Sequence, residues 1–348
     1  RKHPGGHYMN RYDTYIPEGR GRHGNNYWFQ CVRDVHKDPR VYTSDPNKAK
    51  GKRDGEQYRP GIYSPKLEAD VIIEYLKNTD KQRDPSKPFS VIWAPNPPHN
   101  PYGSEDDCDE FAYRKYYKGK SPAKLLNRPN VKTEPRDEGP DSVAFYFANV
   151  TGIDKQVKRV LKALAETGEA DNTIVVFTSD HGEMMGSHGQ MGKNYIYEES
   201  FLVPLMIKYP GKLSHRLEDL MLTPVDMMPT LLGLLGCDIP ETVEGINYAG
   251  ALETGKFNKT HKPQNVPYLG LKKRGVRSYR YSLEIDEDGN SRVFDNQEDP
   301  YQMESLALGD IPDKSRNQLL KSLGQWLKRM NDEWYHTRKH ASLIPYQD

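Results

Sequence analysis

The sequence predicts an α/β fold, a mainly parallel sheet flanked by helices, with a small antiparallel subdomain at its C-terminal end. Three observations carry that expectation. The run Thr173–Thr178 is apolar, rich in β-branched residues and too short for a helix, which is how a strand buried on both faces reads. Two stretches before it, Pro65–Asn78 and Asp141–Ala165, repeat apolar residues at helical spacing. Beyond residue 263, runs around Asp288-Gly289 read as antiparallel hairpin strands. The expected division is an α/β domain over 1–262 and an α+β subdomain over 263–348.

Each element has a local reason. Residues 1–59 are rich in Gly, Pro, Tyr, Arg and His with little periodicity, and read as long ordered loops. Ser64 suits an N-cap with Pro65 at the first helical position, and Leu67, Val71, Ile72, Tyr75 and Leu76 share a face. Phe89–Ala94 reads as a buried strand, after which four prolines fix the backbone around His99. The charged stretch 105–140 reads as a surface excursion. Asp141–Ala165 places Val143, Phe147, Val150, Ile153, Val157, Val160, Leu161 and Leu164 toward a core, and Asp154 reads as a cap or helix ion pair. Val203–Ile207 is a second buried-strand candidate, and Thr223–Gly236 a buried helix stopped by glycine. Arg274–Ile285 and Arg292–Phe294 supply hairpin strands, and a closing helix spans 313–330.

Composition bounds the function. The 348 residues hold 50 Lys+Arg against 49 Asp+Glu, so no basic excess argues for nucleic acid or a membrane surface. No apolar run reaches the length of a membrane span. Mean hydropathy is -0.90, and Tyr outnumbers Phe 23 to 9, which suits a polar cleft. Cys31, Cys108 and Cys237 lie far apart without metal-ligand spacing. Asn149 and Asn258 open short glycosylation sequons of the kind that arise by chance.

The chemistry concentrates after the Thr173–Thr178 run. Ligands in open α/β sheets collect outside the carboxyl ends of strands. There stand Ser179-Asp180-His181-Gly182, with Asp180 a hard anionic oxygen for Ca²⁺ or Mg²⁺. Gly186, Gly189 and Gly192 let backbone approach a ligand, and Lys193 offers a compact cation for an anionic group. Each feature alone is as well explained by a capped turn or an ordinary loop. A lone histidine in a Pro-rich loop, as His99 is, is more often structural.

Together, the run TSDHGEMMGSHGQMGKNYIYEES followed by VPLMIKYPG resembles the signature of the sulfatase family in the alkaline-phosphatase-like superfamily. Pro95–Tyr102 is similar to that family's Pro-His-x-Pro-Tyr loop, Val225–Leu232 to its VDxxPTLL helix, and Phe294–Leu306 to its Asp-Pro-x-Glu segment. The resemblance implies a sulfate-ester hydrolase. Asp180 and His181 would be metal ligands, for Ca²⁺ ahead of Mg²⁺. Lys193, His99 and His3 would be catalytic, and Lys193, His99, His188 and His7 would contact substrate. His3 and His7 enter because Arg1–His7 aligns with a Lys-Trp-His-Leu-x-Gly-His segment, with Lys2 departing from the tryptophan.

The family's nucleophile motif, Cys/Ser-x-Pro/Ala-x-Arg, whose first residue becomes formylglycine, is absent. Ser44-Asp-Pro-Asn-Lys48 is a faint echo that reads as a turn. The paired aspartates that the family draws from its first strand are missing too. The expectation is that an N-terminal part supplies both, as a preceding segment or a separate fragment, and that these 348 residues alone are inactive. Two alternatives stand beside it: a phosphatase or phosphonate hydrolase of the same superfamily, and a non-catalytic glycan-binding or structural relative. Tyr8, Arg11, Tyr12, Arg20, Arg22, His23, Tyr27 and Trp28 could line a carbohydrate subsite, which favours a sulfated saccharide as partner. By resemblance the protein is exported, to periplasm, lysosome or the extracellular space.

Overall fold

The computed structural model describes residues 15–32, 35–131, 141–257 and 265–346. His3 and His7, with Arg1, Tyr8, Arg11, Tyr12 and Asn258, lie outside the described residues. The chain divides into two compact units, one from Arg1–Asn127 with Glu134–Thr173, the other from Arg128–Thr133 with Ile174–Asp348.

In the first unit, β1 (Phe29–Cys31) pairs antiparallel with β2 (Val41–Thr43). Helix α1 (Ser64–Lys77) follows, with Tyr63 rather than Ser64 at the N-cap position and Pro65 in its first turn. Its C-terminus closes on Asn78 in the left-handed conformation, φ 53°. The stretch 105–140, expected to be an irregular excursion, is partly folded where described. Glu105–Asp107 forms a 3₁₀ turn, α2 (Glu110–Ala112) runs into a π turn at Tyr113–Tyr117, and α3 (Pro122–Leu125) follows. Cys108, Asp109, Ala112 and Tyr113 are buried there, which ties the segment down. Helix α4 (Ser142–Glu166) has Asp141 at its N-cap position, packs on α1, and buries Val143, Ala144, Ala148 and Leu164. Asn149 is fully buried on that helix, accepting from Tyr63 Oη (2.7 Å) and donating to the Asp107 carbonyl (2.8 Å). Asp154 is exposed. Phe89–Ala94 does not form a strand: no ladder partner reaches it among the described residues, and Val91 and Ile92 are exposed.

The second unit opens with β3 (Val175–Thr178), α5 (Glu198–Phe201) and β4 (Leu205–Lys208). Their ladder is antiparallel, Val175 opposite Lys208 and Thr178 opposite Leu205, and both strands are only partly buried, whereas the sequence predicts a fully buried strand of a parallel sheet for the first run and a buried strand for the second. The reason lies in the connection. A parallel pair needs a helical crossover, but between β3 and β4 the chain carries only the one-turn α5 and a loop that folds back on itself. Phe177 and Met206 stay exposed on the pair.

Helix α6 (Pro224–Leu235) begins with a capping box, Thr223 and Asp226 satisfying each other's backbone N–H, and ends at Gly236, φ 69°. Its stripe is only partly core, since Leu234 is buried but Met228 and Leu235 are exposed. After α7 (Ala249–Thr254) come β5 (Val266–Gly270), β6 (Lys273–Arg277), β7 (Tyr281–Asp286) and β8 (Ser291–Asp295), a four-stranded antiparallel sheet in sequential order. The hairpin expectation holds there, with the run Arg274–Ile285 broken at 278–280. Helix α8 (Asp313–Arg329) and the single turn α9 (Glu333–His336) close the unit. Leu319, Leu323 and Leu327 of α8 meet Val276, Leu283, Ile285 and Val293 of the sheet in one apolar cluster. No helix among the described residues is long and apolar enough to cross a membrane.

Candidate active site

Strand β3 delivers Asp180 and His181 to the point where its ladder ends. Asp180 Oδ1 accepts from the His181 backbone N–H (2.9 Å), which fixes the carboxylate against its neighbour. The His181 ring donates from Nδ1 to the Gly182 carbonyl (2.8 Å), so Nε2 carries the lone pair in the neutral ring. That atom lies 3.4 Å from Asp180 Oδ2. Two electron-rich atoms converging at this distance, with the Asp180 side chain 84% exposed, fit two ligands of one cation. Among the described residues no third Asp, Glu, His or Cys joins them. Gly182 has no room for a side chain, since a Cβ there would lie 2.0 Å from the Glu199 carbonyl oxygen. Its N–H donates to the Ser200 carbonyl (3.0 Å).

The following loop, 183–193, is closed on itself. Met184 N–H reaches the Gly192 carbonyl (2.8 Å), Gly186 N–H the Gln190 carbonyl (2.9 Å), and the Gly192 N–H donates to Glu183 Oε1 (2.6 Å). Met184 and Met185 are buried and anchor it, Met184 in a cluster with Ile196, Tyr197, Tyr268 and Phe294. Lys193 stands at the exit of this loop, half-buried.

His188 lies at the loop's tip with φ 54° and stacks on Tyr197, ring centroids 3.7 Å apart and planes 9° from parallel. A residue that the sequence reading passed over holds it. Asn130 is fully buried, and its carbonyl accepts the His188 N–H (2.7 Å). The Asn130 side-chain amide nitrogen lies 3.1 Å from His188 Nε2, 2.6 Å from Glu199 Oε1 and 3.1 Å from the Tyr301 carbonyl. Arg128 pairs with the same Glu199 oxygen (2.8 Å). Behind the stack, Tyr197 Oη accepts from Arg292, which pairs with the buried Glu284. The sheet thus backs the loop. Nothing in the sequence flags Asn130: it is 58 positions from His188 and follows no periodic pattern.

In the first unit, His99 is half-buried and donates from Nδ1 to the Asn100 carbonyl (2.9 Å). Its own carbonyl accepts from Nε2 of the buried His36 (2.8 Å), and its N–H bonds the Asn96 carbonyl (3.0 Å). The Pro-rich loop therefore holds the ring, as expected. Burial and the neighbouring acids Asp109, Glu105, Asp107 and Glu110 push the Cys108 thiol up to about 12, and burial first of all raises that of Cys31, which disfavours the thiolate at both. Arg22 is buried and paired with Asp54, and Tyr27 donates to Asp45 (2.8 Å), so these two pack inside their own unit.

Comparison with known proteins fits this arrangement. The sulfatase sequence profile matches residues 10–237, and that of the C-terminal region of N-sulphoglucosamine sulphohydrolase matches 186–333. An endo-4-O-sulfatase of Bacteroides thetaiotaomicron is 36% identical over 96% of the chain, and an ulvan-active sulfatase of Formosa agariphila is 31% identical over 95%. The chain spans 68% and 64% of those two proteins. A solved Bacteroides thetaiotaomicron structure, reported with the metabolism of multiple glycosaminoglycans, superposes with a TM-score of 0.86 at 35% identity. It covers 95% of this chain and 71% of that one. With the profile matched over most of its length and relatives this similar, the chain belongs to the sulfatase family, with its alkaline-phosphatase-like fold.

Proposed function

We propose that the protein carrying this chain hydrolyses a sulfate ester of a saccharide. The observation that carries the reading is the Asp180–His181 pair, with His181 Nε2 and Asp180 Oδ2 3.4 Å apart just after β3. Breaking the ester S–O bond needs an attacking oxygen, balance for the sulfuryl charge, and a proton for the leaving alkoxide. Asp180 and His181 would hold a divalent cation, Ca²⁺ by family resemblance. When bound, such an ion polarises the sulfuryl group. The Lys193 ammonium would pair with sulfate oxygens, and preformed charge of this kind acts where charge develops. His99 Nε2 would give its proton to the leaving oxygen, with Nδ1–H held by Asn100. His188, His3 and His7 would contact substrate or support these groups. None of the 348 residues fits the formylglycine motif, so the reading places the attacking oxygen on a residue outside them. Export belongs to the same reading.

The test is metal dependence. Sulfate release from a sulfated oligosaccharide should stop on chelation and return with Ca²⁺ in the wild-type protein, but not in Asp180→Asn. Full activity of the chelated enzyme would reject the role given to Asp180 and His181.

A further inference from the structure

The loop that carries His99 has few means of holding itself. Pro95, Pro97, Pro98 and Pro101 have no N–H, so between Ala94 and Tyr102 only Asn96, His99 and Asn100 bring a backbone donor. One of these closes the loop on itself, the His99 N–H bonding the Asn96 carbonyl (3.0 Å). Where the loop stands therefore depends on groups outside it. Two of them belong to α1 or are fixed by it.

The first is His36, a buried residue only 1% exposed, whose Nε2 lies 2.8 Å from the His99 carbonyl oxygen. A carbonyl oxygen only accepts, so the His36 ring donates. The His36 carbonyl in turn accepts the N–H of Ser64, where α1 begins (2.7 Å). His99 is thus tied by its main chain, through one residue, to the start of a helix. The second is Glu68, four positions along α1 and so on the same face as Ser64. It is 9% exposed, and its Oε2 accepts from Trp93 Nε1 (2.8 Å), two residues before Pro95. Cys31 of β1 bonds the same carboxyl, so strand and helix fix it together. Val91, Ile92 and Ala94 around Trp93 are exposed, which leaves packing little grip on this stretch. At the far end of the loop Tyr102 is buried, edge-on to Tyr146 of α4 with ring centroids 6.1 Å apart.

The reaction above gives neither His36 nor Glu68 a task. We propose that both are positioning residues for His99, His36 by fixing its carbonyl and Glu68 by anchoring, through Trp93, the chain that enters the loop. The inference rests on the reading of His99 as proton donor to the leaving oxygen, though the hold on the loop rests on these contacts alone.

Leaving groups and hydrogen exchange test the two parts separately on the whole protein. A sugar alkoxide needs a proton to leave, and 4-nitrophenolate does not. The variants are His36→Leu, Glu68→Leu and Trp93→Phe, the last removing the indole N–H and keeping an aromatic ring. In each, kcat for desulfation of a chondroitin 4-sulfate hexasaccharide should fall about tenfold or more with KM within about twofold, while kcat on 4-nitrophenyl sulfate changes by less than about twofold. A loss of folded protein would lower both alike. His36→Gln keeps an amide donor near the place of Nε2, and Glu68→Gln keeps an acceptor for Trp93, so both should recover part of the hexasaccharide rate. Peptides covering 93–104 should exchange about tenfold faster in the first three variants, and those of α8 at the wild-type rate. Unchanged exchange over 93–104, equal losses on the two esters, or glutamine variants as slow as the leucine ones overturns the proposal. Where the wild type spares the hexasaccharide, exchange alone decides. Faster exchange in the variants of a protein that cleaves neither ester keeps the hold on the loop and rejects the reaction. Cleavage of both esters by the wild type, with rates and exchange unchanged in the variants, rejects the positioning alone.

Discussion

Two buried side chains carry the sharpest consequences at the scale of the residue. Glu68 sits on the core face of α1, and burial drives its carboxyl from the ordinary 4.5 up to about 7, against hydrogen bonds from Trp93 and Cys31 that pull it down. A raised carboxyl pKa stabilises the fold fully below about 4.5, and that contribution is lost as pH rises through about 7. The linked stability is on the order of 3 kcal/mol. Thermal melts from pH 4.5 to 8 should show this decline in wild type and a flatter profile in Glu68→Gln, while parallel profiles would contradict it. Asn130 is the second. Asn130→Ala removes a buried amide that serves Glu199, Tyr301 and His188, and should cost about 1–3 kcal/mol. It should also lower kcat/KM on a sulfate ester, because His188 loses its brace. The two positions differ in legibility from the histidine of the 95–102 loop. His99 announces itself through four flanking prolines, whereas Glu68 and Asn130 look in the sequence like ordinary polar residues. Only tertiary packing makes them buried.

Helix signals were readable at the scale of the element because they are local. Pro65 marks the first turn of α1 and Gly236 the stop of α6. Thr223→Ala should cost about 1 kcal/mol by opening the capping box of α6, checked by denaturant unfolding. Strand direction was not readable, because an apolar run records burial and says nothing of which way its neighbour runs. The parallel reading of β3 failed for that reason, and the chain between β3 and β4 decides the matter by folding back without a crossover helix. Phe89–Ala94 failed on a related ground, since strand identity needs a hydrogen-bonded partner that no local pattern supplies. Gly182 belongs to this scale as well. With 2.0 Å between a Cβ and the Glu199 carbonyl, Gly182→Ala should destabilise the turn after β3 by about 1–3 kcal/mol and displace the loop that leads to Lys193.

For the whole molecule, the family is established by a profile over 10–237 and a relative 36% identical across 96% of the chain, and the motif from Thr178 to Lys193 already pointed there. Its length and order make that motif legible, since Asp-His-Gly, the glycine loop and the lysine are separately common. The arrangement behind the motif was not legible: Asn130 and the Tyr197–Arg292–Glu284 chain are drawn from far along the sequence to hold one loop. The central claim is that this chain supplies the charge-balancing and proton-donating side of sulfate-ester cleavage. The most direct measurement is sulfate released from a sulfated oligosaccharide by the whole protein, in wild type, Lys193→Ala and His99→Ala. The account predicts release by the wild type and losses of about 10²-fold or more in each variant, with unchanged melting temperatures. No sulfate from the wild type, or equal release from all three, would contradict it.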